Sequence, residues 1–182
     1  MHIHRSNKFL GVVVHVSDAV YREAQEIVAG GPSLDGNSIE EVFDHQYEEM
    51  FFAKAQDQFL EFVRLHGVRR GCSEIHVLNA HGGNKDGKWI YEDRSRSFSL
   101  QTWIDRHAKQ AAAIVLTVCN ADGLTVASRH TPLFIPDNIV GIGLAFLGEY
   151  HYTMRLPSGE EVDRYTIDYH LKQIRKKTKA DS

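Results

Sequence analysis

Residues 74–84 read EIHVLNAHGGN, and residues 111–123 read AAAIVLTVCNADG. The first carries Ile75, Val77, Leu78 and Ala80 and the second a longer run of small and branched apolar residues, and both read as strands buried in a parallel sheet. The first run leads into His81-Gly82-Gly83-Asn84 and the second into Cys119-Asn120-Ala121-Asp122-Gly123. Between them, Leu100, Trp103, Ile104 and His107 recur at three- and four-residue steps, the spacing of one helix face. Ser97 or Ser99 can cap that helix, expected over residues 100–109. Strand, helix, strand is the crossover unit of a parallel sheet. It puts a histidine and a cysteine at the C-terminal tips of neighbouring strands, the edge where ligands gather in open α/β sheets.

Upstream, residues 9–16 (FLGVVVHV) read as a first, central strand. Ser17-Asp18 can cap a helix over 19–28, closed by Gly30-Gly31-Pro32. Residues 33–38 have loop chemistry. Ser38 and Glu41 have capping-box spacing, and 41–65 follows a helical period with Phe51, Phe52, Ala55, Phe59, Phe62 and Val63 on a core side. His66-Gly67 is its expected stop. Downstream of His81, residues 82–87 read as a flexible loop and 88–91 as a short hairpin arm. Residues 122–136 read as a long polar loop and 139–146 as another strand. Residues 150–156 and 161–167 flank Pro157-Ser158-Gly159-Glu160 as a hairpin, and a short basic helix covers about 168–177. The expected fold is α/β: a three-layer α/β/α sandwich with a mostly parallel sheet and a C-terminal β-hairpin, one domain over 1–182.

The 182 residues, 42% hydrophobic and 25% charged, suit one globular domain with a real core. A formal net charge of -3 argues against general nucleic-acid binding, which favours a basic surface. The basic end at Lys172, Arg175, Lys176, Lys177 and Lys179 reads as a solvated tail. Two cysteines, Cys72 and Cys119, are too few for a disulfide framework. The first residues lack the apolar core of a signal peptide, and no apolar run approaches the ~20 residues that span a bilayer. The expectation is a cytoplasmic protein without nucleic-acid or membrane partners. His2 and His4 are expected to be disordered and His151 and His170 exposed. His76 is expected to be a satisfied buried histidine, and His130 lies in the loop after Cys119.

A thiol near its ordinary pKa of about 8.5 is a modest nucleophile at neutral pH until a histidine helps it. His81 can take that proton and return it to a leaving group. Backbone N–H groups of Gly82 or Gly83 and of Cys119 can face a developing oxyanion. Asp122 could select a basic side chain in a substrate, although with Gly123 it also reads as a turn. Asp18 could do the same, although it also reads as a helix cap. A loop histidine and a buried, inert cysteine are the plain alternative.

Strand–Ala80-His81-Gly82, a helix, then strand–Cys119 resembles the catalytic core of the caspase-like cysteine peptidases, among them metacaspases and CHAT domains. Residues 81 and 119 are 38 positions apart, in keeping with one crossover helix. The resemblance implies a caspase-like fold, a peptide or protein substrate, His81 as base or acid, Cys119 as nucleophile, and no metal or cofactor. The chain departs from the caspase signature Q-A-C-[RQG]-G, since residues 117–121 read TVCNA.

Residues 79–84 (NAHGGN) are also similar to a segment of creatininase-type metal amidohydrolases, where the histidine binds metal. The family's upstream Glu-x-His-Gly motif is absent. A zinc site drawing on His81, Cys119, His15 and Cys72 is a third reading. The fourth is a catalytically inactive binding or assembly module of the same fold. Its strand over 150–156 could pair with a second copy in a homodimer.

Overall fold

The computed structural model describes residues 2–6, 10–30, 57–118, 123–136, 152–162 and 167–180. The first two strands, β1 (His2–Ser6) and β2 (Gly11–Val16), pair antiparallel, with His2 opposite His15. Helix α1 (Asp18–Gly30) follows, then α2 (Asp57–Arg70) and strand β3 (Glu74–Ala80). Strands β4 (Gly82–Lys85), β5 (Lys88–Asp93) and β6 (Arg96–Ser99) form a separate antiparallel meander. Helix α3 (Leu100–His107), β7 (Ala111–Val118), β8 (Leu133–Pro136), β9 (Tyr152–Arg155), β10 (Glu161–Val162) and α4 (Ile167–Ala180) complete the described elements.

The main sheet has seven strands in the order β1-β2-β3-β7-β8-β9-β10. The pairs β2–β3, β3–β7 and β7–β8 are parallel, and the outer pairs are antiparallel. The parallel centre follows from composition: every residue of β7 is buried, as a strand covered on both faces must be. Alternation then sorts the side chains. Val12, Val14, Val16, Ile75 and Val77 join one apolar cluster, with Val20 of α1, Phe62 of α2 and Leu171 of α4. Leu78, Ala80, Ile114, Leu116 and Val118 join a second, with Leu100, Trp103 and Ile104 of α3. Each fully buried Leu or Ile of this kind stabilises the fold by roughly 1.5–3 kcal/mol relative to exposure.

Ser99 caps α3, its hydroxyl accepting from Thr102 N–H, and Leu100, Trp103 and Ile104 are the buried face that the period required. The β9–β10 hairpin forms around Gly159 at φ 86. Other expectations are corrected. His2 and His4 lie in β1, where pairing with β2 orders the backbone. Helix α2 runs through Gly67 and stops before Gly71, whose φ of 71 suits a left-handed terminator. Gly67 is instead a packing glycine: a Cβ there would lie 2.5 Å from the Cys72 carbonyl oxygen and 2.8 Å from Ala112 Cβ. The expected loop at 82–87 is strand β4 and a tight hairpin turn. Asp86 (φ 52) and Gly87 (φ 75) form its two-residue connection. The polar stretch after Cys119 contains β8, too short an apolar run to stand out. Strand β9 pairs with β8 along its length and with the two-residue β10 at Met154 and Arg155. The expected helix from 41 lies mostly outside the described residues, as does the strand expected at 139–146.

Candidate functional site

The parallel register sets Ala80 opposite Val118 at the C-terminal end of β3 and β7. His81 is the next residue after β3. Its Nε2 lies 2.8 Å from Oε1 of Glu23, with both side chains partly exposed. Glu23 comes from α1, and α1 is fixed at its start. The Ser17 hydroxyl accepts from Val20 N–H, and the Asp93 carboxylate accepts from Asp18 N–H at 2.9 Å. That carboxylate sits where the helix N-terminus is positive. Asp18 therefore acts in the cap region, and its own carboxylate lies 3.5 Å from Arg94 Nε.

The meander braces the same rim. His81 carbonyl oxygen accepts from Glu92 N–H at 2.9 Å, and Gly82 stands opposite Tyr91. Burial, with the Asp93 carboxylate, pushes the Tyr91 hydroxyl above its ordinary pKa, against a lowering effect of Arg106. Gly82 is tightly enclosed: a Cβ would meet the Ile90 carbonyl oxygen at 3.1 Å and Val118 Cβ at 3.3 Å. Gly83 has open space on its Cβ side. Cys119 and Asp122 lie outside the described residues.

Cys72 is not near His81. It precedes β3, with its Sγ 3.7 Å from the Lys109 carbonyl oxygen and 3.9 Å from that of Arg70. His81 follows the other end of that seven-residue strand, about 20 Å away at strand rise.

His15 joins a different group. Its Nε2 lies 3.2 Å from His76 Nδ1. His107, the last residue of α3, brings a third ring, with centroids 4.6 Å from His15 and 5.0 Å from His76. Potential ligand nitrogens of the three lie within 4.8 Å of one another. Trp103, one helical turn before His107, packs 4.4 Å from its ring and edge-on to His15 at 5.2 Å. The sequence reading grouped His15 with His81, Cys119 and Cys72, whereas the rings described around it are His76, His107 and Trp103. The available signal was parity: His15 and His76 alternate out of the cluster that holds Val14 and Val77, so both face α3.

No family model, curated protein or solved structure matches the chain.

Proposed function

We propose that this chain is a cysteine-dependent hydrolase acting on peptide or protein substrates, with a His81/Cys119 dyad on a caspase-like three-layer α/β/α sandwich. The observation that supports this reading is the register of Ala80 with Val118 on adjacent parallel strands, because residues 81 and 119 are the next in sequence after that pair. Glu23 adds to it. A carboxylate on one ring nitrogen fixes the orientation of the imidazole and leaves its other nitrogen for the chemistry.

In this reading His81 takes the Cys119 thiol proton as sulfur attacks the acyl carbon. The N–H groups of Gly82 or Gly83 and of Cys119 receive the oxyanion. His81 then protonates the leaving amine, and a water deprotonated by the same ring hydrolyses the acyl-enzyme. Asp122 stands near enough in sequence to read a basic substrate side chain.

The test is thiol alkylation beside hydrolysis of a fluorogenic peptide library. Cys119 is expected to alkylate at least ~10-fold faster than Cys72, and His81→Ala to remove the difference. Equal rates in the wild type, or full hydrolysis by Cys119→Ala, would refute the dyad.

A further inference from the structure

Three imidazoles converge on the α3 side of the sheet, toward the end opposite His81. His76 lies five residues before His81, about 16 Å along the strand. His76 is buried, whereas His15 and His107 are half-buried. The three come from β2, β3 and α3, elements held by the core rather than by loops.

One pair of nitrogens has the spacing of a coordination sphere, and the third ring is close enough to complete it. Around a tetrahedral ion with metal–nitrogen distances of about 2.0–2.1 Å, neighbouring ligand atoms stand roughly 3.3 Å apart. His15 Nε2 and His76 Nδ1 are 3.2 Å apart, and the third ring has a nitrogen within 4.8 Å of both. The second ring nitrogen of His76, Nε2, is buried, and the Glu74 carboxylate stands 3.5 Å from it, not in hydrogen-bond geometry but within reach of one small side-chain adjustment. A histidine that ligates through one nitrogen commonly gives its other N–H to a carboxylate, which fixes tautomer and ring orientation.

We propose that His15, His76 and His107 form a site for one divalent transition-metal ion of the zinc class, oriented through His76 by Glu74. An all-imidazole donor set favours zinc, nickel or copper over magnesium or calcium. Ion binding needs the lone pairs of both His15 Nε2 and His76 Nδ1, so whichever neutral ring donates between them must shift that proton to its other nitrogen, a tautomer change with no net proton release. Three protein ligands leave a fourth position, on the side where His15 and His107 are only half-buried, open to an exogenous ligand. This site is independent of the His81/Cys119 reading. It departs from the metal-free expectation set by sequence, because its ligands are 61 and 31 residues apart and meet only through the crossover.

The experiment is a cobalt(II) titration of the full chain after chelator treatment, followed by visible absorption and then zinc displacement. One cobalt per chain with a tetrahedral spectrum is expected. His107→Ala, at the half-buried end of a helix, should weaken binding at least ~10-fold, and Glu74→Gln roughly 10-fold with all three ligands intact. His130→Ala should leave it unchanged. Zinc should raise the melting midpoint of the wild type and not that of His107→Ala. Absence of a tetrahedral spectrum, or a titration unchanged by both His107→Ala and Glu74→Gln, would make the group an aromatic packing cluster around Trp103 and overturn the proposal.

Discussion

The imidazole of His81 and the carboxylate of Glu23 meet at 2.8 Å across 58 residues of chain. One stands just past the tip of β3, the other one turn into α1. Their meeting depends on the α1 start, which the Asp93 carboxylate of the meander holds through Asp18 N–H. The meander, α1 and the sheet rim thus form one support for a single ring.

Glu23 is therefore a positioning residue in the hydrolase reading. Glu23→Gln should lower kcat by roughly 10- to 100-fold, less than the ~10²–10⁴-fold that a general base supplies. KM should change little, because Glu23 touches the ring and not the substrate, and Glu23→Asp, which keeps a carboxylate, should recover part of the lost rate. The check is steady-state peptide hydrolysis by the wild type and both variants. Equal losses in Glu23→Gln and Glu23→Asp, or a change in KM alone, would mean a purely structural contact.

Gly67 predicts a stability effect that helix propensity gets with the wrong sign. Alanine normally stabilises a helix interior over glycine by about 1 kcal/mol. Here the added Cβ meets the Cys72 carbonyl oxygen at 2.5 Å and Ala112 Cβ at 2.8 Å. Gly67→Ala should cost about 1–3 kcal/mol by overpacking. Gly83→Ala, with nothing within 4 Å, should change stability by about 0.5 kcal/mol or less. Urea denaturation of the two variants decides it.

Thr131 supplies a donor where the β3–β7 ladder breaks. The pairing shifts between Glu74–Ala111 and Ile75–Ala113, so Ala112 is the extra residue of a bulge. Its carbonyl oxygen accepts from the fully buried Thr131 hydroxyl at 2.8 Å. Thr131→Val keeps the volume and removes the donor, and should cost about 1–3 kcal/mol. Thr131→Ser should lose less, because the hydroxyl remains. Denaturation midpoints measure the difference.

The parallel centre was legible because 111–118 is apolar at every position but Thr117 and 74–80 carries Ile75, Val77, Leu78 and Ala80, a density that a strand buried on both faces explains. The α3 face and the Ser99 cap were legible for the same local reason. What failed was non-local. Gly67 has the chemistry of a helix stop, but its role is set by Cys72 and Ala112. Strand β8 has four residues, and only its pairing with β7 and β9 makes it a strand. Of the site, His81 and its place after β3 could be read ahead, but Glu23 could not. A helix face shows which residues are apolar, not which ring its glutamate will reach. The His15/His76/His107 group required both strand parity and the crossover of α3.

His66 predicts a pH dependence whose sign can be worked out. Burial first, then the charges of Arg70 and Arg69, lowers its pKa from the ordinary 6.5 to about 4. The neutral ring can also accept from Arg70 Nη1 at 3.4 Å, and the same guanidinium donates to the Ala111 and Ala108 carbonyl oxygens. Between pH 6.5 and about 4 the unfolded chain binds a proton that the folded chain refuses, so stability falls as pH falls through that window. Above 6.5 His66 adds no slope, and below about 4 both states are protonated and its contribution levels off. The expected loss is on the order of 2 kcal/mol, allowing for the ring's partial exposure. Urea denaturation of the wild type at pH 7.5, 5.5 and 4.5, beside His66→Gln, checks it. The variant, with no proton to gain, should show a slope shallower by that amount, and identical slopes would place the cause of acid sensitivity elsewhere.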